Sequence, residues 1–134
     1  MIVVDTNVIA YLLIPGDHTE AARATLMRDA AWAAPTLWRS EFRNVLALYI
    51  RQRHLTLAHA LEVQSVAEEL LAGREYMVES GPVLECAAAS GRSSYDCEFV
   101  ALARALEVPL VTSDRQLLTS FPDTAISLTN YHTS

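Results

Sequence analysis

The chain has 134 residues, 51% of them hydrophobic, with four glycines, five prolines and a formal net charge of −6. That length supports a single domain over 1–134 with one core, and that composition excludes disorder. The acidic balance argues against broad, non-specific affinity for nucleic acid but leaves room for a local basic groove, and no apolar run approaches the ~20 residues that span a bilayer.

Ile2-Val3-Val4 is an unbroken β-branched run that stops at Asp5. Such a run predicts a strand buried on both faces, as in a parallel sheet. The apolar stretch from Val8 to Leu13 is long enough to be helical, so Asp5 falls at a strand-to-helix junction. There it either caps the helix or serves a ligand at the carboxyl end of the strand. After a turn at Ile14-Pro15-Gly16-Asp17, the run Asp17-His18-Thr19-Glu20 predicts a helix start close to a capping box, with the helix over 21–30. Trp32 to Thr36 is extended, since the residue before Pro35 is biased away from helix.

Leu37 to Ile50 predicts a helix with one irregularity. Glu41, Val45 and Leu48 share a face that adjoins the apolar face of Phe42, Val45, Leu46 and Tyr49. Glu41 is therefore expected at the edge of the core, where it needs a donor or a cation to offset burial. Asn44 lies on the same side, within reach of a ligand or water, and Arg39 and Arg43 project roughly opposite. Thr56 caps the next helix, which runs from Leu57 to Ala72 and ends at Gly73. The apolar faces of these two helices exceed what one sheet face needs, which predicts a subunit interface.

Residues 74–79 read as a strand, Pro82 to Ser90 as a helix of small residues ended by Gly91. Ser93 or Ser94 caps another helix, and Asp96 falls in its first turn, where its charge suits the dipole. Val108 to Thr112 is a buried strand followed by Ser113-Asp114. Arg115 to Ser120 is a short helix that Asp114 is placed to cap. Ala125 to Leu128 is a last strand, followed by a polar tail. Strands alternate with helices throughout, which predicts an α/β fold: a three-layer α/β/α sandwich around a mostly parallel sheet.

Cys86 and Cys97 lie among small or apolar residues and are expected to be buried thiols. With no CxxC pair and no spaced histidines, a zinc site is not expected; His18, His54, His59 and His132 read as surface or interface residues. All ten basic residues are arginine, so no mechanism that needs a lysine operates here. Arg39, Arg43, Arg51, Arg53, Arg92 and Arg115 are candidates for gripping a backbone or a partner. The chain opens without a charged leader region, which makes the cytoplasm the default.

If the strands before Asp5 and Asp114 are parallel neighbours, both carboxylates emerge at one sheet edge. Asp96 opens the helix leading into the second strand, and Glu41 faces inward from its own helix. Two carboxylates about 5 Å apart repel by roughly 3 kcal/mol at an effective dielectric near 20. Either some take up protons or a cation fills the gap. Oxygen-only donors select a hard divalent ion, Mg²⁺ or Mn²⁺, whose water attacks a phosphodiester. Thr112, Thr6 and Asn7 are candidates for positioning water or phosphate.

These segments resemble a known family. Val-Val-Asp-Thr-Asn at 3–7, Ser-Glu-Phe-Arg-Asn-Val-Leu at 40–46, Tyr-Asp-Cys-Glu-Phe-Val-Ala-Leu-Ala at 95–103 and Val-Thr-Ser-Asp-Arg at 111–115 resemble the four motifs of PIN domains. More closely, the chain is similar to VapC-type toxins of toxin–antitoxin pairs. The resemblance implies a Mg²⁺- or Mn²⁺-dependent endoribonuclease acting on RNA. It also implies a homodimer, held inactive by a cognate antitoxin. By motif, Asp5, Glu41, Asp96 and Asp114 are the metal-binding catalytic acids. Glu98 points about 160° from Asp96 on an ideal helix and is not expected as a ligand. The competing class is a non-catalytic PIN-domain scaffold or regulatory RNA-binding protein. A phospho-acceptor receiver would want a partner lysine, and a haloacid-dehalogenase-type phosphatase would want Asp-x-Asp where Asp5-Thr6-Asn7 stands.

Overall fold

A computed structural model describes residues 1–131. The first half comprises β1 (Ile2–Val4), α1 (Thr6–Leu13), α2 (Thr19–Arg28), β2 (Trp32–Pro35), α3 (Trp38–Arg51) and α4 (Leu57–Leu70). The second comprises β3 (Glu75–Tyr76), α5 (Ser80–Ser90), α6 (Ser94–Leu106), β4 (Leu110–Thr112), α7 (Arg115–Ser120), β5 (Ala125–Ser127) and α8 (Leu128–Tyr131). The strands form one sheet in the order β3-β2-β1-β4-β5, and each adjacent pair is parallel.

That order dictates the layers. Right-handed crossovers from β1 to β2 and from β2 to β3 put α1–α4 on one face. The crossover from β3 to β4 travels back past β1, so α5 and α6 must lie on the other. Contacts agree: α6 packs on β1, β2 and β4 and against α5, while α1 packs against α2, α3 and α4. The predicted sandwich is therefore what forms. Covered on both sides, the central strands carry no polar side chain to solvent: Val3, Val4, Trp32, Ala33, Ala34, Leu110 and Val111 are fully buried. Both cysteines are buried free thiols, as expected.

Three local readings change. The start of α2 is not a capping box. Its Thr19 hydroxyl turns back, donating to the Tyr11 carbonyl at 2.8 Å and accepting from the Gly16 N–H at 2.9 Å. Glu20 pairs with Arg23 instead. The strand predicted over 74–79 is only two residues long, because it lies at the sheet edge with β2 as its one neighbour. At the other edge, the predicted polar tail begins as a helical turn. Leu128 and Tyr131, three residues apart, both bury and draw the chain into α8. His18, His54 and His59 are exposed, and His132 lies outside the described residues. Among those described, no helix is long and apolar enough to cross a membrane.

Candidate active site

The order of the sheet reverses between β1 and β4. In an open α/β sheet, the crevice beyond the carboxyl ends of two such strands is where ligands bind. Asp5 directly follows β1, and Asp114 follows β4 by two residues. Val4 is in register with Val111, and the Asp5 N–H donates to the Val111 carbonyl at 3.1 Å. Both acids thus leave the sheet at one edge, as the sequence predicts for parallel neighbours.

The other two acids come from opposite faces. Glu41 sits in the first turn of α3, half-buried, with Phe42 fully buried beside it. The donor it needs is Thr6, whose hydroxyl donates to Glu41 Oε1 at 2.7 Å. Asp96 sits in the first turn of α6, where the Ser93 side chain accepts from its N–H at 3.1 Å as the helix cap.

The charges feel one another across the crevice. Burial raises the Asp5 carboxyl above its ordinary value, and Asp114 and Asp96 raise it further; hydrogen bonds from Thr112 and Thr6 oppose the shift. Burial likewise raises Glu41, with Asp5, Asp96 and Glu98 adding to it and Thr6 opposing. Asp96 is raised by burial and by Asp114, against the pull of the Arg92 guanidinium. Four side chains from four separate segments thus share one electrostatic neighbourhood, and most of what they do to each other is repulsive.

They do not form a closed cage. Among the described residues, no three His, Cys, Asp or Glu side chains are gathered tightly enough to hold a metal ion as they stand. The reason is visible in their hydrogen bonds. Asp5 Oδ2 is drawn to the Thr112 hydroxyl at 2.8 Å. Asp114 Oδ1 turns to cap α7, accepting from the Gln116 N–H at 2.8 Å and the Leu117 N–H at 3.3 Å. Glu41 is held by Thr6. Like charges facing one gap settle on separate donors at its rim. The donor chemistry nevertheless fits a hard divalent ion: carboxylate oxygens only, whose mutual repulsion positive charge would relieve.

Of the predicted positioning residues, Thr112 lies deepest. Its side chain is fully buried, and its hydroxyl donates to Asp5 while accepting from the Asp114 N–H at 3.0 Å. That pair of bonds orients the two strand-end acids. Thr6 is also buried and committed to Glu41. Asn7 and Asn44 are exposed. Glu98 is half-buried, and its charge reaches Glu41.

Among the arginines, Arg39 is no free grip. It fastens α3 to β3 and α4, with Nε and Nη2 donating to Glu75 at 2.6 and 2.8 Å and Nη1 to Glu68 at 3.0 Å. Arg92 donates to the Gln116 side chain at 2.7 Å. Arg43, Arg51, Arg53 and Arg115 are exposed. Neither the Arg39–Glu75 clasp nor a bond between the Tyr11 hydroxyl and Ser113 Oγ at 3.0 Å carries a signal in the sequence, because both join residues far apart in it.

A pH dependence follows for the metal-free protein. Asp5, Glu41, Asp96 and Glu98 have raised values in the fold. The folded chain therefore holds more protons than the unfolded one just above pH 4, and stability falls as pH rises through the raised values. Glu75 and Asp29 are lowered, so their stabilisation is lost on the acid side, as pH falls through their folded values. Stability is expected to peak at weakly acidic pH and to decline toward neutrality. Denaturant melts in chelator between pH 3.5 and 8 test this, and a curve still rising at pH 7 would contradict it.

A family model described as the PIN domain matches residues 2–122. No curated protein matches the chain. Among solved structures, PAE2754 from Pyrobaculum aerophilum is similar with a TM-score of 0.77 at 20% identity, over 98% of this chain and 92% of that one. FitAcB from Neisseria gonorrhoeae is similar with a TM-score of 0.71 at 21% identity, over 96% of this chain and 98% of that one. At such identities the likeness is one of fold.

Proposed function

Because this chain belongs to the PIN-domain family, a family of nucleases, we propose that it is a Mg²⁺- or Mn²⁺-dependent endoribonuclease and the toxin of a VapC-type toxin–antitoxin pair. The observation that supports this reading best is the exit of Asp5 and Asp114 from adjacent parallel strands at the switch point of the sheet, with Asp5, Glu41 and Asp96 raised first by burial and then by neighbouring acids. A fold that keeps four acids in mutual repulsion tolerates a stability cost, and strained sites of this kind belong to function.

In this reading Asp5, Glu41, Asp96 and Asp114 hold the ion. When bound, the ion supplies positive charge and Lewis acidity to a phosphodiester. The chain does the positioning. Thr112 fixes Asp5 and the Asp114 backbone together, so the two strand-end acids move as a unit. Thr6 fixes Glu41 through Oε1, which leaves Oε2 to accept a proton from the attacking water.

We further propose a single nuclease domain over 1–134, acting in the cytoplasm as a homodimer under a cognate antitoxin. Leu48, Leu57 and Leu61, exposed on α3 and α4, support a second copy packing there.

Purified protein is expected to cleave single-stranded RNA with Mg²⁺ or Mn²⁺ and to stop in excess chelator. Mn²⁺ is also expected to raise its melting temperature, since an ion that binds only the folded state stabilises it by mass action. Cleavage that persists in chelator would replace this mechanism with a metal-free one. Neither cleavage nor a thermal shift would sink the assignment.

A further inference from the structure

Beside the acids, α1 and α3 enclose a cavity of about 270 Å³ lined by Asn7, Tyr11, Asp17, His18, Val45 and Tyr49 among others. None of the four acids lines it, but it runs along the two helices that carry Thr6 and Glu41. Asn7 follows Thr6, which holds Glu41, and Val45 lies one turn on from Glu41, a rise of about 6 Å. The Tyr11 hydroxyl reaches Ser113, next to Asp114. The Tyr11 and His18 rings are 4.4 Å apart and tilted by 34°, and Tyr49, which also lines the cavity, has its ring 6.0 Å from that of His54.

Size and lining constrain the occupant. The volume falls below the ~300 Å³ at which pockets for drug-sized ligands begin, so it suits one flat ring. Tyrosine and histidine rings offer stacking faces, and Asn7 and Asp17 offer a carboxamide and a carboxylate that can pair with the edge of a base. The charge balance points the same way. A net charge of −6 limits what neutralising phosphates contributes, which raises the share of single-strand affinity that comes from the bases.

Building on the nuclease reading, we propose that this cavity receives one unstacked nucleobase of the RNA, that of a nucleotide adjoining the scissile phosphate. His18 and Tyr49 are its specificity-determining residues. His18 stacks at the exposed rim, and Tyr49 forms the inner wall.

The test uses a short single-stranded RNA with one cleavage site, and copies in which each flanking nucleotide in turn is abasic. For wild-type protein, one abasic position is expected to lower kcat/KM about tenfold, within the range of one base–aromatic stack. His18→Ala and Tyr49→Leu are expected to lose most of that discrimination, so that each cuts intact RNA little faster than abasic RNA. Equal cleavage of intact and abasic RNA, or discrimination unchanged in both variants, would overturn the proposal. Failure to cut any RNA would overturn the nuclease reading instead. Fluorescence anisotropy with the same oligonucleotides then decides the cavity separately: binding indifferent to the missing base rules it out, and binding weakened only where His18 and Tyr49 are intact supports it.

Discussion

Asp5→Asn is expected to cut RNA at least about a thousandfold more slowly than wild type and yet to melt at a higher temperature. The loss of activity follows from the position of Asp5, where β1 ends at the switch point, and from its proposed part in holding the ion. The gain in stability follows from its surroundings. Burial is the largest influence on its carboxyl, and Asp114 and Asp96 add repulsion. Asparagine has nearly the same shape and keeps an oxygen to accept from the Thr112 hydroxyl. It removes a charge that the folded chain disfavours. The sign fixes the pH window: the cost to wild type is full above the raised value and vanishes below the unfolded value near 3.9. The two proteins should therefore melt together at low pH and diverge toward pH 7. A gain of about 1 kcal/mol would appear as roughly 4 °C in a domain this size. Calorimetry in chelator and a gel assay of RNA cleavage measure the two effects. A variant that cuts like wild type removes Asp5 from the chemistry, and one that melts lower shows the charge to be well accommodated.

The second large effect lies outside the site. Glu75→Gln is expected to destabilise the fold by about 2 kcal/mol at neutral pH. Glu75 accepts from Arg39 Nε and Nη2 and from Trp38 Nε1 at 2.7 Å, and its side chain is 18% exposed. The hydrogen bond from Arg39 lowers the Glu75 carboxyl. Glutamine keeps one acceptor for three donors and carries no charge to face the guanidinium. The depressed value means that wild type holds its advantage above about pH 4.3 and loses it as pH falls through the folded value. Urea melts of both proteins at pH 7 and pH 3 test the claim. Equal midpoints at pH 7 would show the clasp to be ornamental.

The fold was legible because β1 and β4 are short, apolar and rich in β-branched residues, and helical runs separate the strands. Ile2-Val3-Val4 and Leu110-Val111-Thr112 announce a sheet buried on both faces, and the alternation with helices leaves few topologies. The convergence of Asp5 and Asp114 on one edge follows from that pattern once the two strands are parallel neighbours, and the sheet order makes them so. The inward set of Glu41 follows from helical periodicity, and Thr6 supplies the donor that its burial demands. Where the carboxylates come to rest was not legible. Asp114 has two calls on it, the crevice and the cap of α7, and the cap claims one oxygen. The bond from Thr112 to Asp5 was not legible either, because periodicity cannot tell a strand-end side chain that bonds a neighbouring carboxylate from one that meets solvent. Arg39 read as a free cation because Glu75 lies 36 residues away, beyond any local pattern.

The ends of the sheet carry a last implication. Its outermost members, β3 and β5, span two and three residues, and β5 runs straight into a helical turn. Long, flat borders recruit foreign chains and seed aggregates, and stubs like these offer too few backbone groups to template an added ribbon. A partner of this molecule is therefore expected to be matched by side-chain surfaces and not by an added strand.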